Sequence, residues 1–213
     1  MQASLKTAHH PFYEYLKRVR AIAHIGLVYA ENDYQRERNQ EIIDLTDEMV
    51  QQLAKIPIKQ IKNYFSEPTE YITPKVDVRA VVFDSEGRLL MVKEKADGLW
   101  ALPGGWADIG LSPKECAVKE TFEETGFTVE PKKLLAAVDA KYFNHPPQPH
   151  SIYKLFIECH LTGGQAQITH DILDVGFFDL HEMPPLSLER NSQDQIELVF
   201  TYRDDPEKLV LFN

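Results

Sequence analysis

The stretch Pro103–Phe127, PGGWADIGLSPKECAVKETFEETGF, decides how the rest of the chain is read. Ser112 suits a helix N-cap, Pro113 the first helical position, and Glu115 completes an S-x-x-E capping box. Gly126 suits the left-handed residue that closes a helix. The spacing therefore predicts a helix over 113–125. At about 100° per residue, Glu120, Glu123 and Glu124 fall in one sector of about 100°. Val118, Phe122 and Thr125 fall roughly opposite and are expected to face the core, while Cys116 reads as a small filler on the glutamate side. The glycine pair Gly104 and Gly105 lets the preceding loop approach a ligand closely.

Three carboxylates on one helical face repel one another by a few tenths of a kcal/mol per pair when exposed, and by more when partly buried. On the glutamates alone, a solvated face is the default reading. The capped helix, the glycine pair at fixed distance and the closing glycine point instead to a site for a hard divalent cation, because Mg²⁺ and Mn²⁺ prefer carboxylate oxygen.

Working outward, the segment before this stretch changes texture twice. Residues 12–65 carry apolar positions at spacings of three and four: Phe12, Leu16, Val19, Ala23, then Ile42, Ile43, Leu45, Met49, Val50, then Ile58, Ile61, Tyr64 and Phe65. This predicts three helices, the third beginning after Pro57. SEPTEYITP (66–74) reads as a linker. From Lys75 the pattern is that of strands: KVDVRAVVF (75–83), RLLMVKEK (88–95) after the turn signal DSEG, KLLAAVDAKYF (133–143), SIYKLFIECHLT (151–162) and VGFFDL (175–180). NSQDQIELVFTYRD (191–204) reads as a closing helix. The expected architecture is α+β, with a small all-α domain over 1–68 and a larger sheet-containing domain over 69–213.

The 213 residues include 43% hydrophobic and 26% charged side chains, as in ordinary folded proteins. The net charge of −10 belongs wholly to the second domain, since residues 1–68 balance nine basic against nine acidic groups. A long-range negative field opposes general nucleic-acid binding. It does not oppose phosphate substrates bound through a cation. No apolar run spans a bilayer, the N-terminus lacks the order of a secretory signal, and Cys116 and Cys159 have no metal or redox spacing. A cytoplasmic location is expected.

The stretch 105–127 resembles the Nudix box, G-x5-E-x7-R-E-U-x-E-E-x-G-U with U aliphatic. Gly105, Glu120, Glu123, Glu124, Gly126 and Phe127 match it, while Leu111, Lys119 and Thr121 stand where the box has Glu, Arg and an aliphatic residue. Lys119 lacks the planar fork of Arg. The whole chain is similar to bacterial Nudix enzymes carrying a helical N-terminal domain. The residues that carry this are AIAHIGLVYA, KVDVRAVVF, KADGLWALPGGWADIG, the HPP loop before YKLF, and VGFFDLHEMPPLSLER.

The resemblance implies a Nudix α/β/α sandwich with a mixed sheet. It also implies Mg²⁺-dependent (or Mn²⁺-dependent) hydrolysis of the pyrophosphate in a nucleoside diphosphate derivative of the ADP-ribose or CDP-choline type. Glu120, Glu123 and Glu124 are the implied metal ligands and catalytic residues; it does not fix which carboxylate acts as base. Arg79 would contact a substrate phosphate or form a structural ion pair. Trp100 and Trp106 would stack on a base or ribose, or pack in the core. Gly105 would border the substrate. His145 and His150 would touch substrate or lie on a solvated loop. Asp171 and Asp174 would add a ligand or cap a turn, and Asp108 would contribute a metal-bound water or form a turn.

Two other function classes stay open on the sequence: a nucleotide-sensing regulator with a partly degenerate box, and an RNA 5′ pyrophosphohydrolase. The apolar excess of residues 1–68 predicts a homodimer built through the helical segment.

Overall fold

The computed structural model describes residues 11–54, 71–146, 148 and 150–213. These residues belong to two compact units. One is built from residues 75–146 and 152–213, the other contains the N-terminal helices. The third expected helix after Pro57 and the 68/69 boundary lie outside the described residues.

In the helical unit, α1 (Pro11–Val28) and α2 (Asp33–Ala54) pair as a hairpin. They approach closely at Gly26, where an added Cβ would sit 2.4 Å from Asn39 Oδ1. Ala23, Leu27 and Ile43 form the small core, and Arg20 pairs with Asp47 inside it. Tyr15, Ile22, Ile42, Leu45 and Met49 remain exposed.

The larger unit has two sheets and two helices. One sheet has the order β4-β1-β6-β5-β8 and the other β3-β2-β7. The strands are β1 (Lys75–Val82), β2 (Leu89–Glu94), β3 (Trp100–Ala101), β4 (Gly104–Trp106), β5 (Phe127–Asp139), β6 (Ile152–Gly164), β7 (Ile172–Phe178) and β8 (Leu211–Phe212). β1 is an interior strand: it runs parallel to β6 with Asp77 opposite Lys154, and antiparallel to β4 with Arg79 opposite Gly104. β4 and β8 are three and two residues long, too short to leave a periodic trace in the sequence.

Strand alternation divides the core into two layers. Val78, Ala80 and Val82 of β1 join Ile157 and Cys159 of β6 beneath helix α3 (Pro113–Thr125), which contributes Cys116 and Ala117. The opposite faces of those strands carry Val81 and Phe156, which pack with Ile196, Val199 and Phe200 of helix α4 (Gln193–Asp204). The result is a mixed sheet layered between helices, as expected.

α3 begins and ends where the sequence places it. Both halves of the Ser112/Glu115 capping box form, and Gly126 takes φ 75° with its amide donating to Phe122 O. Its orientation differs from expectation. The buried residues are Cys116, Ala117, Thr121 and Thr125, while Phe122 is 55% exposed. The small residues let α3 lie close on the sheet, and Thr121 and Thr125 satisfy their hydroxyls on the carbonyls of Ala117 and Thr121. On the helical wheel this buried arc adjoins Glu120 and Glu124, so the glutamate face is turned partly inward.

Candidate active site

The site is built where α3 meets the loop between β3 and β4. Gly104 has φ 136°, and an added Cβ would fall 2.0 Å from Val78 O, so only glycine fits against β1. That close approach lets the Gly104 amide donate to Glu124 Oε2 at 2.9 Å. Gly105 borders the second glutamate, because an added Cβ there would lie 3.5 Å from Glu120 Oε2. The two glycines thus face two of the three glutamates.

Burial pushes the Glu124 carboxyl up to about 8. Arg79 and the Gly104 amide oppose the shift, and Glu94 and Glu120 add to it. Glu123 is exposed and Glu120 half-buried. The Lys119 ammonium bridges them, 2.8 Å from Glu123 Oε2 and 3.3 Å from Glu120 Oε1, and also reaches Asp108 Oδ2 at 3.2 Å. Its hydrogen bonds to Glu123 and Asp108 hold the Lys119 pKa above the ordinary lysine range.

These residues fit a hard divalent cation in their chemistry. The donors are all carboxylate oxygens, they are mutually repulsive, and an ammonium stands among three of the acids as a single positive charge. Among the described residues no three His, Cys, Asp or Glu side chains are already gathered about one point. Glu120 and Glu123 would have to turn from Lys119 to share an ion with Glu124.

The remaining expected residues divide. Arg79 is buried and fully engaged: Nε donates to Asp77 Oδ1 at 2.8 Å and Nη1 to Leu102 O at 2.9 Å. This is the ion-pair alternative, although the guanidinium also acts through space on Glu124. Trp100 takes the core-packing alternative: it is 9% exposed and packs edge-on against Phe178, 4.7 Å between ring centroids. Trp106 is exposed and its ring lies 5.0 Å from Lys75 Nζ.

His145 is neither solvated nor open. It is buried, with Nδ1 2.7 Å from Leu188 O and Nε2 2.9 Å from Gln195 Nε2. Asp174 caps the Val175 amide, and Asp171 pairs with His170 on the surface. Cys116, on the glutamate side of α3, is buried in the core as a small filler, because that side is turned partly inward.

The sequence reading missed a buried ionic group under the site: Asp77, Lys154, Glu94 and Arg190. Lys154 donates to Asp77 Oδ2 and to Arg190 O, and Arg190 Nε donates to Glu94 Oε1 at 2.9 Å. Burial raises the Glu94 pKa. Charged residues inside otherwise apolar strands, Asp77 and Arg79 in KVDVRAVV and Lys154 in IYKLF, were the available signal.

Residues 73–200 match the NUDIX domain, and residues 10–65 match the UDP-X-like N-terminal oligomerisation domain. The chain belongs to the Nudix hydrolase family. Over 200 residues it is 42% identical to a putative ADP-ribose pyrophosphatase, YjhB, of Bacillus subtilis, covering 94% of this chain and 96% of that one. A crystal structure of a UDP-X diphosphatase superposes with a TM-score of 0.62 at 33% identity, covering 94% of this chain and 98% of that one. The crystal structure of an ADP-ribose pyrophosphatase of Streptococcus suis gives 0.60 at 38% identity, covering 66% of this Nudix chain and all of its own. Divalent-metal chemistry goes with this family, and the matched N-terminal domain is of an oligomerisation family. Among the described residues no helix is long and apolar enough to cross a membrane.

Proposed function

We propose that this Nudix hydrolase cleaves the pyrophosphate of a nucleoside diphosphate derivative with Mg²⁺, and that ADP-ribose is its substrate. The observation that carries the reading is the pairing of Glu124 with the Gly104 amide beside Glu120. It sets a half-buried carboxylate against the glycine loop that precedes the helix. The names of the B. subtilis and S. suis relatives support ADP-ribose. The UDP-X diphosphatase supports a sugar-linked diphosphate of the same general shape. CDP-choline stays as a comparison substrate.

Glu120, Glu123 and Glu124 would hold the ion. When bound, it would polarise the pyrophosphate and lower the pKa of the attacking water. The protein supplies position. Gly104 holds Glu124, and Glu120 and Glu123 would exchange the Lys119 ammonium for the ion. Trp106, partly exposed, is the side chain offered to a base or ribose. Water adds to one phosphorus and the bridging oxygen leaves with the other, so ADP-ribose gives AMP and ribose 5-phosphate.

Two assignments accompany this reading. The oligomer is a homodimer, supported by the apolar residues left exposed on α1 and α2. The compartment is the reducing cytoplasm, which suits the free buried thiols of Cys116 and Cys159.

The test is turnover of ADP-ribose, UDP-sugars, CDP-choline and 5′-triphosphorylated RNA with Mg²⁺, with products separated by chromatography. A nucleoside monophosphate and a phosphorylated partner, formed fastest from ADP-ribose, are expected. Free base, inorganic phosphate alone, or preference for the RNA end overturns the assignment.

A further inference from the structure

The loop that holds Glu124 is itself held from below. Leu102 is fully buried, yet both of its backbone polar atoms are satisfied by side chains and not by a strand. Its amide donates to Asn191 Oδ1 at 2.9 Å, and its carbonyl accepts from Arg79 Nη1 at 2.9 Å. Two residues later the Gly104 amide reaches Glu124. A peptide carrying an unmet buried donor would be displaced, and here the two bonds fix the peptide planes on either side of the Leu102 Cα and so the direction in which the chain runs on to Gly104.

Each bond has its own support. Arg79 is oriented by Asp77, which also accepts from Lys154 on the facing strand. Lys154 is 1% exposed, and its second bond goes to the carbonyl of Arg190, the neighbour of Asn191. Arg190 anchors to Glu94 and, through Nη1 at 3.2 Å, to Asp97; Ser187 Oγ donates to the same carboxylate at 2.6 Å. The segment 187–191 is therefore tied to β2, β6 and the glycine loop at once.

A cluster of this kind is a weak source of stability. Buried ion pairs give back in attraction about what they cost in desolvation, and apolar residues of similar volume often do as well. Asn191 also leaves its Nδ2 without a hydrogen-bond partner among the described residues, a cost of about 1–3 kcal/mol for a buried donor. What the cluster does provide is a fixed position for one amide.

We propose that Lys154 and Asn191 are positioning residues that clamp the glycine loop and so hold the Gly104 amide against Glu124. The proposal rests on the assignment of Glu124 to the hydrolytic site.

The test uses full-length Lys154→Met and Asn191→Ala, assayed with Mg²⁺ on whichever nucleoside diphosphate derivative the wild type hydrolyses fastest. Misplacement of one reacting group lowers kcat ~10–100-fold, while KM stays within about threefold because the binding surface is untouched. Amide exchange at Leu102 and Gly104 accelerates, and exchange in β5 and α4 does not. Asn191→Asp keeps an Oδ1 acceptor for the Leu102 amide and replaces the unpartnered Nδ2 by a second, ionisable oxygen in a buried place, so it recovers part of the rate lost in Asn191→Ala. If Lys154→Met fails to fold, the two Asn191 variants decide. A kcat within about threefold of wild type in folded variants, or a loss of kcat with unchanged exchange at Leu102 and Gly104, overturns the proposal. A wild type inactive on every substrate overturns the functional reading instead, and the exchange measurement still judges the clamp.

Discussion

The Gly104 amide and Glu124 Oε2 are 2.9 Å apart, a contact that joins the glycine loop to the carboxylate helix across twenty residues of sequence. It gives Glu124 one strong donor in surroundings that otherwise favour its neutral form. The Glu124→Gln variant keeps an acceptor for that amide and removes the charge. It is expected to fold with a Tm within a few degrees of wild type and to lose ~10²-fold or more in kcat. Turnover within about threefold of wild type at saturating Mg²⁺ refutes the assignment.

The same carboxylate sets a pH dependence. Its folded-state pKa of about 8 lies above the ordinary glutamate value of 4.5. The folded state therefore holds the proton more tightly than the unfolded chain. The stabilisation this gives is complete below the unfolded value and is lost as pH rises through about 8. Metal-free protein should lose thermal stability between pH 5 and about 8, and Glu124→Gln should flatten that slope. Saturating Mg²⁺ should also flatten it, because a bound cation favours the ionised form. A slope identical in the variant and the wild type, measured by thermal melts in EDTA, rules this out.

Gly104→Ala tests the approach of the loop to β1. A Cβ 2.0 Å from Val78 O at φ 136° cannot be accommodated without moving backbone. A loss of about 1–3 kcal/mol from backbone strain is expected, together with a fall in kcat larger than that of an alanine at Gly105. Gly105→Ala meets only ordinary contact with Glu120. Equal effects at the two glycines, by chemical melts and steady-state assays, would contradict the geometry.

Much of this arrangement is legible in the sequence, and the parts that are not share a cause. The bounds of α3 come from local chemistry, Ser112 with Glu115 at one end and Gly126 at the other, and local chemistry is what a single sequence displays. The facing of α3 depends on what lies across it. Cys116, Ala117, Thr121 and Thr125 are small enough to sit on the sheet, so the helix turns that arc inward and leaves Phe122 outside, against the hydrophobic pattern. Trp100 and His145 are placed by partners 78 and 43 residues away or more, Phe178 and Leu188 among them. The ionic group under the site joins Asp77, Lys154 and Arg190: the charges in apolar strands mark the first two, but their pairing across elements is not displayed by any one stretch. Lys119, by contrast, acts within one turn of helix, and its pairing with Glu123 at i+4 is readable directly.

Lys119→Arg restores the planar donor at the box position. Lys119 already contacts Asp108, Glu120 and Glu123 with a point charge, and Arg reaches the same acids with more donors. A kcat equal to wild type or modestly higher is expected, and Lys119→Met should lower it. A loss greater than about tenfold in folded Lys119→Arg would show that the ammonium has another task, such as contact with substrate.

The helical unit supplies the last prediction. Leu27 and Ile43 are buried between α1 and α2, but Ile22, Ile42, Leu45 and Met49 are exposed along the same two helices. At about 25 cal/mol per Å² of apolar surface, such residues favour association once a complementary face is available. Two-fold pairing brings each face to its own copy and closes without leaving a further sticky edge. The full-length protein is therefore expected to be a dimer at micromolar concentration by light scattering, and removal of residues 1–68 to give a monomer with altered KM or kcat. Ile22→Glu combined with Leu45→Glu should weaken the dimer while leaving the Arg20–Asp47 pair and the small core of the hairpin intact. A monomeric full-length protein, or a truncated dimer with unchanged kinetics, excludes the helical segment as the interface.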